Sequence, residues 1–401
     1  MATDLAPFDV ELLDGKTAAV SCWGWPPPRP GAKTQPSAGT EVEVEAHGVA
    51  RSATVVFLDL VQGAIAERVP VGLQPSQLLA DKARRRLYCP CANGDEVVLL
   101  DTVSRSVERR LAARPDPALL FGSAPNAVAL SADEKTLFVA NGGNNCVAVW
   151  DLAGDGGAPR LAGLIPSGWY PSALLASSGP GGRSELIVAS AKGIGSRSRV
   201  PSAPGWSVYN HRGTVHAFPV PAAEELGSLT ERTRAHGRLP QSLAALERRE
   251  SATARPRPVP RVLGEPSVFK HVVYIIKENR TYDQVFGDLP QGDGDPKLCL
   301  YGQEITPNHH ALAEQFVLLD NYYCNGVNSA DGHAWATEAN ATSYLEKSFG
   351  GFTRSYPFGD DPLTLSQTGY LWDHVLRHGL TFRNYGEFDN AEPAGDKKSF
   401  Q

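Results

Sequence analysis

No run of apolar residues in this 401-residue chain approaches the roughly 20 that a membrane-spanning helix needs. Basic charge is not in excess either. Lys and Arg number 38 against 44 Asp and Glu, giving a net charge of −6, so no basic patch for DNA or RNA is expected. Cysteine is scarce: six are scattered between Cys22 and Cys324, too few for a disulfide framework. The Cys89-Pro-Cys91 pair lacks the second ligand pair of a zinc site, so both thiols are expected to be buried in a strand. The opening MATDLAPFDVELLDGK has neither the basic nor the apolar stretch of a signal peptide. Long helices are disfavoured, because 39 Gly and 31 Pro favour turns and short strands. What remains is a globular composition on a chain too long for one ordinary core, so two or three units are expected.

A repeat is present. Four segments start at Pro7, Pro75, Pro125 and Pro171, and each passes from an apolar run through a polar turn into further strand-like runs. Three of them close on Asp59, Asp101 and Asp151, which lie 42 and 50 residues apart. That spacing, with period-2 alternation in runs such as VVLLD and VAVWD, predicts antiparallel blades of a β-propeller over residues 1–222. The strands ending at 60, 101 and 151 should hold equivalent places in successive blades. Asp14-Gly15 and Asn141-Gly142 are expected to supply the positive φ of tight hairpins. An irregular β-sandwich is the alternative to a propeller. Phe138-Val-Ala-Asn141 and its neighbours resemble the YVTN-type propeller repeats. Propellers of that type usually have more than four blades, so a sequence that starts partway through a larger protein is expected.

Two excursions interrupt the repeats: a Pro/Gly-rich loop at 24–50 and a Gly/Ser/Arg-rich loop at 192–212. Residues 223–267 change character, with a short helical pattern giving way to the Pro/Arg-rich SATARPRPVPRVLGEPS; they are expected to be a linker. From 268 to 401 the pattern becomes α/β. The apolar run His271–Ile276 and the run 317–323 predict parallel strands. NHHALAEQF, AWATEANATSYLEK and GYLWDHVLRHG predict helices, and TFRNYGEF a strand. Strands alternating with helices imply a mostly parallel sheet, whose ligands sit at the carboxyl ends of its strands.

Glu278 and Asn279 lie at one such end, and adjacent carboxylate and amide oxygens suit a divalent cation. Ser329 precedes a helix, where free N–H groups and the dipole favour an alkoxide and a bound phosphate. The plainer reading of Ser329 and Asp331 is helix capping. Asp373, His374 and His378 are expected on the polar face of an amphipathic helix, and His309-His310 at a helix start.

KHVVYIIKENRTYDQVFGDL, TPNHHALAEQFVLLDNYY and NSADGHAWATEANATSYLEK resemble the bacterial phosphoesterase family of phospholipases C and acid phosphatases, within the alkaline phosphatase superfamily. The likeness is to the subgroup that joins a YVTN propeller to a phosphoesterase domain, and it is dense over 270–390. It implies a phosphoric-ester hydrolase with a phosphate-ester substrate, a divalent metal ion held by Glu278 and Asn279, and Ser329 as nucleophile. Asp283, Asp320, Asp331 and His333 would be supporting or substrate-contacting groups. It also implies that the α/β domain is present only as its N-terminal half, because relatives bring further Asp and His ligands from a C-terminal half. Relatives are usually exported. The alternative function is a non-catalytic propeller binding protein with an inactive α/β appendage.

Overall fold

The computed structural model describes residues 3–25, 28–153, 158–178, 184–195, 211–247, 254–262, 264–348 and 361–388. Its core is a series of antiparallel sheets. The first is ordered β1 (Leu5–Leu12), β2 (Thr17–Gly24), β5 (Ala53–Asp59), β6 (Ala64–Val71). The second runs through β7 (Leu79–Asp81), β8 (Arg86–Cys91), β9 (Glu96–Asp101) and β10 (Ser106–Ala112) in chain order. The third does the same with β11 (Pro125–Leu130), β12 (Thr136–Asn141), β13 (Cys146–Asp151) and β14 (Arg160–Pro166). A three-stranded sheet follows, of β15 (Trp169–Ser178), β16 (Ser184–Gly193) and β17 (Thr214–Pro219).

The repeat read from the aspartates has a physical basis. β5, β9 and β13 are each the third strand of their own sheet, and each ends on the aspartate. The carboxylate then closes the next turn: Asp59 accepts from the Val61 and Gln62 amides, Asp101 from Val103 and Ser104, and Asp151 from Ala153, at 2.6–2.9 Å. Such side-chain-to-backbone bonds specify a turn where a ladder would otherwise run on.

Sheets stack because their strands are apolar on both faces. In β13, Cys146, Ala148 and Trp150 pack with Tyr88, Val97 and Leu99 of the second sheet, while Val147 and Val149 pack with Leu186 and Val188 of the fourth. The first and second sheets share another core, around Phe57, Leu87, Cys89 and Cys91. Cys89 and Cys91 are thus buried strand residues, as expected.

Several expectations need correction. The hairpin turns do not use Gly15 or Gly142 for positive φ; Arg85, Asp95, Arg105, Glu134 and Asn145 adopt it instead, near the ends of their turns. Asp14 instead braces its turn by accepting from the Lys16 and Thr17 amides. The Pro/Gly-rich stretch 24–50 contains a hairpin, β3 (Thr34–Ser37) and β4 (Thr40–Glu43). The 192–212 loop begins as strand, for Lys192 and Gly193 belong to β16; residues 196–210 lie outside the described ones. The short helical pattern read after 223 is present: α1 (Ala223–His236) packs on the third sheet, burying Leu226, and Thr230 Oγ1 accepts from the Leu164 amide at 2.9 Å.

In the remaining region, α3 (Tyr282–Phe286), α4 (Pro307–Gln315), α5 (Ser329–Glu338), α6 (Ser343–Lys347) and α7 (Leu371–Arg377) follow α2 (Leu239–Glu247). The long helix expected over 334–347 is broken by Ala339 in the left-handed region. The parallel sheet is absent among the described residues: 271–276, 317–323 and 381–388 form no ladder. Val272 and Val273 are 85% and 83% exposed. A strand apolar on both faces is stable only with paired neighbours and covered faces, and the described residues give this run neither.

Two contacts seat α5 and α6 on the β-rich region. Trp23 of the first sheet packs edge-on to Tyr344 at 5.8 Å, within a core that includes Ala330, Ala334 and Leu345. Lys192 of the fourth sheet reaches Glu346. The helices thus bridge the first and last sheets of the series. Segment 361–366 is buried beside them, with Gln74 donating to the Leu363 carbonyl and Asn93 to that of Leu365.

Candidate functional site

Ser329 is the first residue of α5 and is exposed, so its hydroxyl is open to solvent rather than spent in the core. Asp331, two residues on, is 1% exposed. Its carboxylate accepts from the Val327 and Asn328 amides, both at 2.8 Å. Asp331 therefore shapes the turn that presents Ser329; the capping reading holds for it.

His333 lies one helical turn beyond Ser329 on the same face, where side chains four apart stand about 5–6 Å from each other at Cβ. Its Nδ1 is 2.7 Å from Glu387 Oε1 and its Nε2 is 3.3 Å from Glu278 Oε2. Glu278, half-exposed and 55 residues from His333 in sequence, is thereby brought to α5. Its neighbour Asn279 accepts at its carbonyl from Arg280, and Arg280 stacks over Tyr301.

The other candidates go elsewhere. Asp283 accepts from the Asp295 amide and Asp320 from that of Asp293, so both brace the loop around Tyr282, and no described contact joins them to Ser329. His310 is buried against Asp288 at 2.8 Å. Burial disfavours the charged ring most, but the Asp288 carboxylate, the Thr306 carbonyl and nearby negative charge together outweigh it and the His310 pKa is raised. This is a structural pair. Asp373 accepts from the Tyr370 amide, as a helix cap does.

Among the described residues no three His, Cys, Asp or Glu side chains are placed to hold a metal ion. Glu278 and Asn279 offer adjacent oxygens, but the described residues do not complete a cation site around them, and no chemical step is derived through a metal below.

Three residues that composition and spacing did not single out matter here. Lys192, in what reads as a loop sequence, is fully buried between Asp331 and Glu346. Glu387, in a run that reads as a strand, holds His333. Glu338 lies on α5 with a buried oxygen that has no hydrogen-bond partner. Burial raises its pKa to about 8, against hydrogen bonding to Tyr370 and Ser366 that lowers it. Only Lys192 carried a sequence signal: a lysine at the end of the strand-like SELIVASAKG run. A cleft of about 260 Å³ adjoins His333 through Glu387, lined also by His47, Tyr370, Trp372, Asp373 and Phe388.

No family model and no curated protein matches the chain. Among solved structures, hydrazine synthase of Kuenenia stuttgartiensis is similar at 21% identity and a TM-score of 0.32, over 47% of this chain and 44% of that one. A 6-phosphogluconolactonase candidate from Bacteroides uniformis is similar at 12% identity and a TM-score of 0.33, over 52% of this chain and 51% of that one. The chain thus spans about half the length of each, and likeness at this level carries no argument about activity.

Proposed function

We propose that this protein is a phosphoric-ester hydrolase in which Ser329 is the nucleophile. The observation that carries the reading is the approach of Glu278 to α5: its contact with His333 joins the two motifs that resemble the phosphoesterase family, on the helix whose first residue, Ser329, is exposed. The four antiparallel sheets are read as successive blades of a YVTN-type propeller, supported by the equivalent places of β5, β9 and β13. The segment from 268 onward is read as part of an α/β phosphoesterase domain.

The chemistry follows from the residues. Ser329 oxygen attacks phosphorus, the bond to the leaving alkoxide breaks, and a phosphoserine forms; water then attacks the same phosphorus and frees the serine. His333, one turn away and held by Glu387, is a base suited to take the serine proton and return it to the leaving group. The positive end of the α5 dipole favours the negative charge of a phosphoryl group at Ser329. The adjoining cleft accommodates the organic part of the ester. A divalent ion, if bound at Glu278 and Asn279, would supply charge neutralisation beside phosphorus.

The test is to incubate the protein with a chromogenic phosphate ester and a panel of divalent ions, quench in acid, and map phosphorylation by mass spectrometry. A phosphoryl group on the peptide containing Ser329, absent from Ser329→Ala, is the expected result. Hydrolysis that survives this substitution removes Ser329 from the role. Failure to hydrolyse or bind any phosphate ester favours the non-catalytic binding protein.

A further inference from the structure

Lys192 is a fully buried charge held by partners from distant parts of the chain. Lys192 ends β16 with a side chain that is 0% exposed, although burying an ammonium group is costly unless it is paired. Its Nζ lies 2.8 Å from Glu346 Oε2, 3.6 Å from Asp331 Oδ2 and 3.1 Å from the Asn325 carbonyl oxygen, with the Trp169 ring centroid at 4.7 Å. Glu346 is tied in turn by the Trp335 indole N–H at 2.8 Å. Two of these partners flank one short turn. Asn325 enters it, and Asp331 closes it by accepting from the Val327 and Asn328 amides. The residue that leaves the turn is Ser329.

From this geometry we infer that Lys192 is the positioning residue of the candidate site: it grips the 325–328 turn through the Asn325 carbonyl and Asp331, and so fixes where Ser329 stands. The inference rests on the proposed role of Ser329 for its catalytic consequence, though the grip itself does not. The β-rich region is then a part of the site rather than an appended module. The last sheet supplies the cation that orders the turn, and the first sheet backs the same helices through Trp23 and Tyr344. A lysine suits the task because its ammonium group donates to the Asn325 carbonyl while its charge is balanced by the two carboxylates.

The experiment is hydrogen exchange on the full chain, read peptide by peptide, with steady-state kinetics on a phosphate ester alongside. Lys192→Met should raise exchange of the Val327 and Asn328 amides roughly tenfold or more, while strands 136–141 and 146–151 keep their protection. Lys192→Arg, which retains the charge, should restore part of it. In the kinetic arm, Lys192→Met should lower kcat about tenfold with KM little changed, as displacement of a nucleophile predicts. Should Lys192→Met unfold the chain by stranding two carboxylates, Lys192→Met with Glu346→Gln leaves one, and the same local loosening is expected. Unchanged exchange at 327–328, or an equal rise across β16, α5 and α6, overturns the positioning role. Loosening at 327–328 without any ester hydrolysis in the parent protein keeps the grip and rejects the phosphoesterase reading.

Discussion

Glu387 Oε1 stands 2.7 Å from Nδ1 of His333, which leaves the other ring nitrogen facing Glu278 at 3.3 Å. Carboxylates on both sides of the imidazole fix the orientation of the ring. The pair of contacts holds His333 on α5, one helical turn from Ser329.

His333→Ala is accordingly expected to lower phosphate-ester turnover about 100-fold, and Glu387→Gln, which keeps the shape but removes the charge, about tenfold. Both side chains are partly exposed, so melting temperatures should move little. Steady-state kinetics beside thermal denaturation check the pair; equal rates in the parent and both variants would exclude the dyad from the reaction.

Glu338 gives a prediction about pH. Its folded pKa is raised by burial from an ordinary 4.5 to about 8, so the folded state holds the proton more tightly than the unfolded chain does. Its stabilising contribution is therefore complete below pH 4.5 and is lost as the pH climbs through about 8. Between pH 5 and pH 9 this group alone should cost the protein on the order of 4 kcal/mol. Glu338→Gln removes that slope and should be more stable than the parent at pH 9. Urea unfolding at several pH values decides it; parallel curves for parent and variant would mean that Glu338 is already ionised in the folded protein.

Asn93 tests how the buried 361–366 segment is held. Its side chain donates to the Leu365 carbonyl at 2.8 Å and accepts from the Gln367 amide at 3.2 Å, while the residue is 3% exposed. Asn93→Ala leaves both backbone groups without their partner and should cost about 1–3 kcal/mol. Chemical denaturation measures the loss. Hydrogen exchange at Gln367 should quicken in the variant, and an unaltered Gln367 amide would show that other contacts suffice.

Local chemistry made part of this architecture legible in the sequence. In the first three sheets an aspartate ending the third strand closes its turn with its own carboxylate, so Asp59, Asp101 and Asp151 mark the repeat. Strand β13 is apolar throughout because sheets lie on both of its faces, and VAVW records that directly. Asp331 as a helix-start residue was likewise readable from its spacing after Asn328. The tertiary structure decided the rest. The run 271–276 has the composition of a buried strand, yet a strand exists only where another chain segment pairs with it, and composition cannot supply that neighbour. Lys192 and Asp331 are 139 positions apart, and Glu387 and His333 are 54 apart; neither period nor motif links them. A charge can be buried only beside its counter-charge, and the fold alone brings these partners together.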